Sequence, residues 1–549
     1  MSNNNEFDFV GQNNELFLVE YDEETEKESR TLLTSEFYPE EVFRDVDTEE
    51  TSMRLRTLFR NFEVKRDVTY DKLLPNGLME LVRYGYPFSD TEVRKYVSEW
   101  LMLVQDELPL TETTKQLGWK EKGNKRFFQL ATSISKDKDI SVTYNGDLVI
   151  EKAGTWEEYK KFLVTLVLPH IQMQAMVAFS VASALATYLG EDLTLTIHVC
   201  GETSSGKTTL LAVSASVWSS AKRKANGVHQ TWNSTNNALI NGLCGIDGLT
   251  LCFDELGASD ADAKSFLALI YKLSMGIDKK RMNSDNSNAR FAVNVVSSGE
   301  IPIKLVQEAN GADVRLLEIN YPWTESKEHA EKINAALRNC YGHLGEKFVK
   351  VLLDNPKEKF ESSYRKLYHR IVSEYSGIVD GMTKKNKRIF LRAVKKIAVV
   401  SLSAYVMKKT MRLDFDYMGI AKFLIERSSL LELPGGEHIR FLEAYINSLC
   451  EDRVRVKAAE KQGNLLRTFD FEKDGYIIMR SEYFYSTMGK RGFSRSDCNA
   501  HLHRLNKEGY LHTEKGKLYN RRQFDGAKCA CIELVIDKLD QEQIYHPYC

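Results

Sequence analysis

Cysteine and proline are both scarce. Nine cysteines, odd in number and scattered from Cys200 to Cys549, exclude a disulfide scaffold, and ten prolines exclude a proline-rich, extended chain. The opening MSNNNEFDFV has no basic stretch followed by an apolar one, so no secretory leader is expected and a reducing cytoplasm is the expected compartment. Internal repeats of roughly 20–50 residues are also missing, which excludes solenoids and propellers. One segment, 162–190, lacks any formal charge over a length that would cross a bilayer. Pro169, His170, Gln172 and Gln174 interrupt it and a phosphate-loop motif follows directly, so it is read as a buried helix pair and no membrane contact is expected.

What is present fits an ordinary folded chain: 549 residues, 43% hydrophobic and 28% charged. That length exceeds one hydrophobic core and suggests about three or four domains. The net charge of −2 conceals a split. Residues 1–50 hold sixteen Asp/Glu against three Lys/Arg, so the rest of the chain carries a balance of +11. A basic body favours a polyanionic partner.

Residues 1–150 mix short alternating runs with a helix expected near 90–103, and Asn145-Gly146 between Val142 and Leu148 predicts a β-hairpin in this α+β domain. From 151 to 325, apolar runs at 195–200, 249–253, 292–297 and 314–319, with a weaker one at 228–232, alternate with helical patterns and predict a parallel α/β sheet. Residues 326–432 read as helical. Ile389, Ala393, Ile397, Val400, Ala404 and Met407 follow steps of three and four along one of these helices. After a Pro-Gly-Gly break at 434–436, residues 437–549 read as a small winged helix.

The chemistry concentrates in 201–208. Gly201-Glu202-Thr203-Ser204-Ser205-Gly206-Lys207-Thr208, followed by Thr209, matches G-x-x-x-x-G-K-[ST] between an expected strand and helix. Its glycines let main-chain N–H groups turn toward phosphate oxygens, Lys207 reaches the β/γ-phosphates of ATP, and Thr208 holds Mg²⁺. Forty-seven residues beyond Lys207 an apolar strand ends in Asp254-Glu255, placing Asp254 for the Mg²⁺ shell and Glu255 to orient or deprotonate water. Ser297 and Ser298 end the next strand and are candidates to sense the γ-phosphate. Arg315 enters the strand after that and is a candidate arginine finger for a neighbouring subunit.

Two basic regions point to nucleic acid. Lys279, Lys280 and Arg281 lie in a turn ahead of the serine strand, suited to a hairpin in a central channel. Residues 490–528 hold ten Lys/Arg against four Asp/Glu. Within them Arg495, Asn499, His503, Arg504 and Lys507 can line the outward face of a recognition helix, with Lys515, Lys517, Arg521 and Arg522 on a wing against phosphates. Arg388, Arg392 and Lys395/Lys396 form a basic stripe in the helical region, from which Arg392 is a candidate phosphate contact. Cys529 and Cys531 are read as small core residues and not as a zinc site.

The two phosphate-site motifs, serine strand, following arginine, helical region and winged helix, in that order, resemble the MCM-like group of AAA+ helicases. Leu117-Gly118-Trp119, Ser216-Val217-Trp218, Thr231-Trp232-Asn233-Ser234-Thr235-Asn236-Asn237, Asp254-Glu255-Leu256-Gly257 and Ser298-Gly299-Glu300 narrow the resemblance to the self-loading replicative helicases (Cch or Rep type) of staphylococcal mobile elements. The resemblance implies an AAA+ P-loop core with a helical lid, ATP hydrolysis with Mg²⁺ between subunits of a hexameric ring, translocation on single-stranded DNA, and binding of a duplex replication origin. It also implies an N-terminal region without metal. Two other functions share these features: a non-unwinding DNA-binding ATPase acting as initiator, loader or regulator, and a protein-remodelling defence ATPase.

Overall fold

The computed structural model describes residues 7–12, 15–22, 27–190, 193–201, 205–232, 236–255, 272–273, 276, 290–300, 315–382, 384–428, 430, 441–442, 445–446, 471–473, 475–490, 493, 495–513, 517–524 and 527–541. Ser204, Lys279, Lys280, Arg281, Lys515 and the 434–436 break lie outside the described residues. The chain divides into two units, the first running to Leu148 and including Gly245–Asp247.

In the first unit, β1 (Phe7–Gln12), β2 (Glu15–Asp22) and β3 (Lys27–Ser35) form an antiparallel sheet. A second sheet joins β4 (Phe37–Asp45), β5 (Thr51–Phe59), β6 (Phe62–Thr69), β7 (Leu110–Thr114) and β11 (Val142–Tyr144) in the order β11-β7-β4-β5-β6. Alternation explains its faces: Met53 and Leu55 are fully buried while Ser52, Arg54 and Arg56 beside them are half-exposed. Helix Thr91–Val104 starts where expected, because the Asp90 carboxylate accepts the Glu92 and Val93 N–H groups. Its Val97 and Leu101 close a core with Phe37 and Phe88, whose rings meet edge to face at 4.8 Å.

The same unit holds β8 (Leu117–Lys122), β9 (Lys125–Gln129) and β10 (Ser133–Ile134), paired antiparallel. Ile246 and Asp247 pair with Leu117 and Gly118. Gly118 has φ 89°, and a Cβ there would fall 1.5 Å from the Asp247 carbonyl oxygen, so this position of the Leu-Gly-Trp run admits only glycine. The hairpin expected at Asn145-Gly146 does not form. Strand β11 instead pairs parallel with β7, Asn145 N–H bonds the Thr114 carbonyl, and Leu148 N–H bonds the Tyr144 hydroxyl, so the chain leaves the sheet where a return strand was expected.

The second unit is built on β12 (Thr196–Cys200), β13 (His229–Thr231), β14 (Ile246–Asp254), β15 (Ala292–Ser298) and β16 (Leu316–Asn320), in the order β13-β14-β15-β12-β16. Strands β12, β15 and β16 run parallel, as do β13 and β14. Every residue of β12 is buried, the continuous apolar pattern of a sheet covered on both faces. The uncharged segment becomes a short π-helical stretch, Leu163–Val167, which continues the charged helix Trp156–Phe162, and then helix Ile171–Leu189. Ile171–Leu189 is long and apolar enough to cross a membrane, yet 89% of its apolar window is buried within the protein. Polar bonds seat it on the sheet: Ser183 Oγ donates to the Leu249 carbonyl, and Asn294 Nδ2 to that of Phe179.

Helices Lys327–Leu337, Leu344–Asp354, Lys357–Glu374, Ser376–Gly381, Lys384–Met411 and Tyr417–Arg427 follow. The 384–411 helix buries Ala393, Ile397, Val400, Ala404 and Met407, as the spacing predicts. The last elements are β17 (Phe471–Lys473), β18 (Tyr476–Arg480), helices Ser481–Lys490 and Arg495–Lys507, β19 (Asn520–Phe524), β20 (Ala527–Val535) and helix Ile536–Gln541. The sheet order is β17-β18-β20-β19, antiparallel throughout, over a core including Met479, Phe484, Leu502, Leu505 and Ile532.

Candidate functional site

Strand β12 delivers the chain to Gly201, and the helix Lys207–Ala215 begins immediately after the loop. Gly206 caps that helix at φ 85°, a conformation a side chain resists, and a Cβ there would crowd Thr324 at 2.5 Å. The segment after β16 braces the loop, because Trp323 N–H donates to the Ser205 carbonyl at 2.9 Å. Lys207 Nζ donates to the Gly201 carbonyl at 2.7 Å. Thr208 is exposed at the helix start, whereas Thr209 is buried with its hydroxyl accepting from Asn334. The Ser205 hydroxyl is buried and has no hydrogen-bond partner among the described residues.

The acids lie two strands away at the same end of the sheet. Gly299 N–H bonds the Val199 carbonyl, which puts the end of β15 beside the end of β12. Ser298 Oγ then donates to Asp254 Oδ1, and Glu255 N–H donates back to Ser298 Oγ at 3.0 Å. At the usual strand spacing of about 4.8 Å, phosphate loop, Ser298 and Asp254 occupy neighbouring positions along one sheet edge. Asp254 is 1% exposed, while Glu255 points into solvent. Glu255 takes a left-handed φ of 61°, rare for a residue with a side chain.

The two serines diverge because successive strand residues face opposite sides. Ser298 meets the acids. The Ser297 hydroxyl lies 2.9 Å from His198 Nδ1 and accepts the Trp232 Nε1–H at 3.0 Å, held inside the sheet layer.

Three residues missed by the motif reading surround the acids. Arg223 Nη1 lies 3.1 Å from Glu255 Oε1 and 3.4 Å from Asp254 Oδ2, bridging both carboxylates. His229 Nε2 stands 3.9 Å from Asp254 Oδ2, and burial, outweighing that carboxylate, holds the imidazole pKa below its ordinary value. Trp232 N–H donates to the Asp254 carbonyl and its ring packs on Phe253. Their traces were the run Lys222-Arg223-Lys224 and the weak strand at 228–232.

The remaining candidates fall elsewhere. Arg315 precedes β16, half-exposed, and its carbonyl accepts from Thr196 N–H at the start of β12. Arg388, Arg392 and Lys395 are exposed on the 384–411 helix. Lys396 departs from that stripe: one helical step turns it inward, where it is buried and its ammonium bonds the Thr194 carbonyl at 2.5 Å.

In the last module Arg495, His503, Arg504 and Lys507 are exposed on one helix, as are Lys517 and Arg521 near and on β19. Arg495 lies over the Tyr485 ring at 4.6 Å. Two expected DNA contacts are instead engaged within the module. Asn499 Oδ1 accepts from the Tyr485 and Tyr519 hydroxyls. Arg522 forms a two-toothed ion pair with buried Glu533 at 2.7 and 2.9 Å, which satisfies a carboxylate that burial would otherwise penalise. Cys531 is buried and Cys529 half-buried on the adjoining strand.

No curated protein matches the chain by sequence. Among solved structures, one described as "SCCmec type IV Cch - active helicase" superposes with a TM-score of 0.63, covering 97% of this chain and 98% of that chain at 19% identity. At that identity the likeness is one of fold. The family described as "Domain of unknown function (DUF927)" matches residues 10–292, just over half of the 549 residues, and the chain belongs to it.

Proposed function

We propose that this chain is an ATP-driven DNA helicase of the MCM-like AAA+ type, a self-loading replicative helicase that also binds the replication origin of a mobile element. The observation that carries the reading is the hydrogen bond from Ser298 to Asp254 beside the Gly201–Thr208 loop, which gathers phosphate-binding, metal-binding and base groups along one sheet edge. The residues fit ATP and Mg²⁺. A buried Ser205 hydroxyl with no partner among the described residues and a glycine cradle at Gly206 suit phosphate oxygens, and Thr208 with Asp254 supplies the oxygen ligands Mg²⁺ prefers.

Gly201, Ser204, Ser205, Gly206 and Thr209 belong to the nucleotide loop, and Lys207 neutralises the terminal phosphates. Thr208 and Asp254 would hold Mg²⁺, whose chemistry is to offset the charge of the phosphoryl oxygens. Glu255 accepts a proton from water, and Ser298 fixes the Asp254 carboxylate. Arg392 contributes from the helical lid. Lys279, Lys280 and Arg281 contact single-stranded DNA in the channel of a ring, while Arg495, His503, Arg504, Lys507, Lys517 and Arg521 contact the duplex origin through a winged helix.

The test is strand displacement on a forked DNA with ATP. The wild-type chain is expected to displace the strand and Lys207→Ala to lose both displacement and DNA-stimulated ATP hydrolysis. ATP hydrolysis without displacement would leave an initiator, loader or regulator; displacement by Lys207→Ala would refute the site.

A further inference from the structure

The β5–β6 hairpin carries a surface that the nucleotide chemistry does not use. Its ladder pairs Met53 with Val68, Leu55 with Arg66, Thr57 with Val64 and Phe59 with Phe62, and directly opposed residues share a face. Along that face Met53, Val68, Leu55 and Thr57 are buried, but at the tip Phe59 is 48% and Phe62 73% exposed. Phe62 is the most exposed of the large hydrophobic side chains among the described residues.

One cation lies over the Phe59 ring, and two more lie against Tyr84, whose neighbour Gly85 abuts the Phe59 ring. Arg60 lies 5.7 Å from the Phe59 ring, and Arg66 and Arg83 flank the Tyr84 ring at 3.3 and 4.7 Å. Elsewhere on the hairpin arginines are neutralised, Arg54 by Asp67 and Arg56 by Glu63. Arg60, Arg66 and Arg83 have no carboxylate partner among the described residues. The backbone adds a second sign. Arg60 and Asn61 form the two-residue turn with φ 49° and 68°, and such turns favour Asn-Gly because both central residues are left-handed. An arginine is thus held at the tip against its conformational preference.

We propose that this tip binds single-stranded DNA, with bases stacking on Phe59 and Phe62 and phosphates meeting Arg60, Arg66 and Arg83. Unneutralised guanidinium groups call for an anion, and exposed rings call for a flat apolar face. A single strand offers both at once, whereas a duplex hides its base faces. The choice of DNA rests on the helicase reading; the stacking and phosphate chemistry does not.

The experiment measures binding of a fluorescent oligothymidylate and of a duplex of equal length to the full chain without nucleotide, alongside ATP hydrolysis without DNA. Phe62→Ser removes a solvent-facing ring and is expected to weaken oligothymidylate binding about 5- to 100-fold, the range for loss of one stacked base. Arg60→Gly suits the left-handed turn, so it is expected to melt no lower than wild type while losing affinity and lowering the salt slope by about 0.7 per lost phosphate contact. Basal ATP hydrolysis stays unchanged in both. Unaltered oligothymidylate affinity in both variants overturns the proposal, as does an equal loss of duplex affinity, or capture of a protein partner in place of DNA. A chain that hydrolyses no ATP yet loses oligothymidylate affinity in both variants supports the tip site while removing the helicase reading.

Discussion

Glu255 shows how the site is set residue by residue. A left-handed φ of 61° costs a side-chain-bearing residue about 1–2 kcal/mol, and such strain persists where the surroundings fix it. Here the fixing contacts are the bond from its N–H to Ser298 Oγ and the ion pair with Arg223. The twist turns the carboxylate out of the sheet while Asp254, one residue earlier, remains buried. Glu255→Gln should lower ATP turnover about 10²- to 10⁴-fold, the usual worth of a positioned base, with nucleotide affinity retained in a fluorescent-nucleotide titration. Glu255→Gly should be equally inactive but melt no lower than the parent, since glycine tolerates the conformation. A clearly lower melting temperature would show that the backbone there is not strained. Sequence reading found the acid pair because the motif is contiguous. Arg223 and His229 reach it only through folding, and a basic run or a buried histidine has many ordinary explanations.

At the scale of elements, hydrophobic period located the secondary structure well wherever a segment buries one face or both. The five core strands lie where the apolar runs place them, and the 384–411 helix lies where steps of three and four place it. Periodicity says nothing of pairing partners, which is why the Asn145-Gly146 turn misled: β11 found β7 about thirty residues back in place of a local return strand. It also says nothing of which polar groups become internal. Glu533 on β20 is 0% exposed, and Arg522 and His512 both bond it. Burial is the largest single influence and opposes its ionisation, but the hydrogen bonds from Arg522, His512 and Asn520 together prevail and hold its pKa below the ordinary 4.5. A depressed carboxylate pKa stabilises the fold fully above the unfolded-state value and progressively less as pH falls through the folded one. The C-terminal module should therefore lose stability below about pH 4.5, and Glu533→Gln should flatten that acid limb while lowering stability at neutral pH. An unchanged acid limb in a melting series would remove Glu533 as its source.

At the scale of the whole molecule, the separation of Arg315 from the phosphate loop is the informative distance. Strands β12 and β16 run parallel in the register Thr196 with Leu316 and Cys200 with Asn320. Arg315 therefore sits at the start of the sheet and the loop at its end, six residues or about 20 Å apart at about 3.3 Å per residue. An arginine side chain cannot span that gap within its own chain. If Arg315 assists hydrolysis, it does so at the loop of a neighbouring copy, which makes the assembly and not the single chain the catalytic unit. Arg315→Ala and Lys207→Ala chains should each be inactive alone, one lacking the finger and the other the phosphate ligand. Mixed in equal amounts, about a quarter of the interfaces in a randomly assembled ring join an intact loop to an intact finger. ATP hydrolysis should return toward that fraction and disappear on dilution below the concentration at which the copies associate. Inactivity at every mixing ratio, with association confirmed by light scattering, would rule out the shared site.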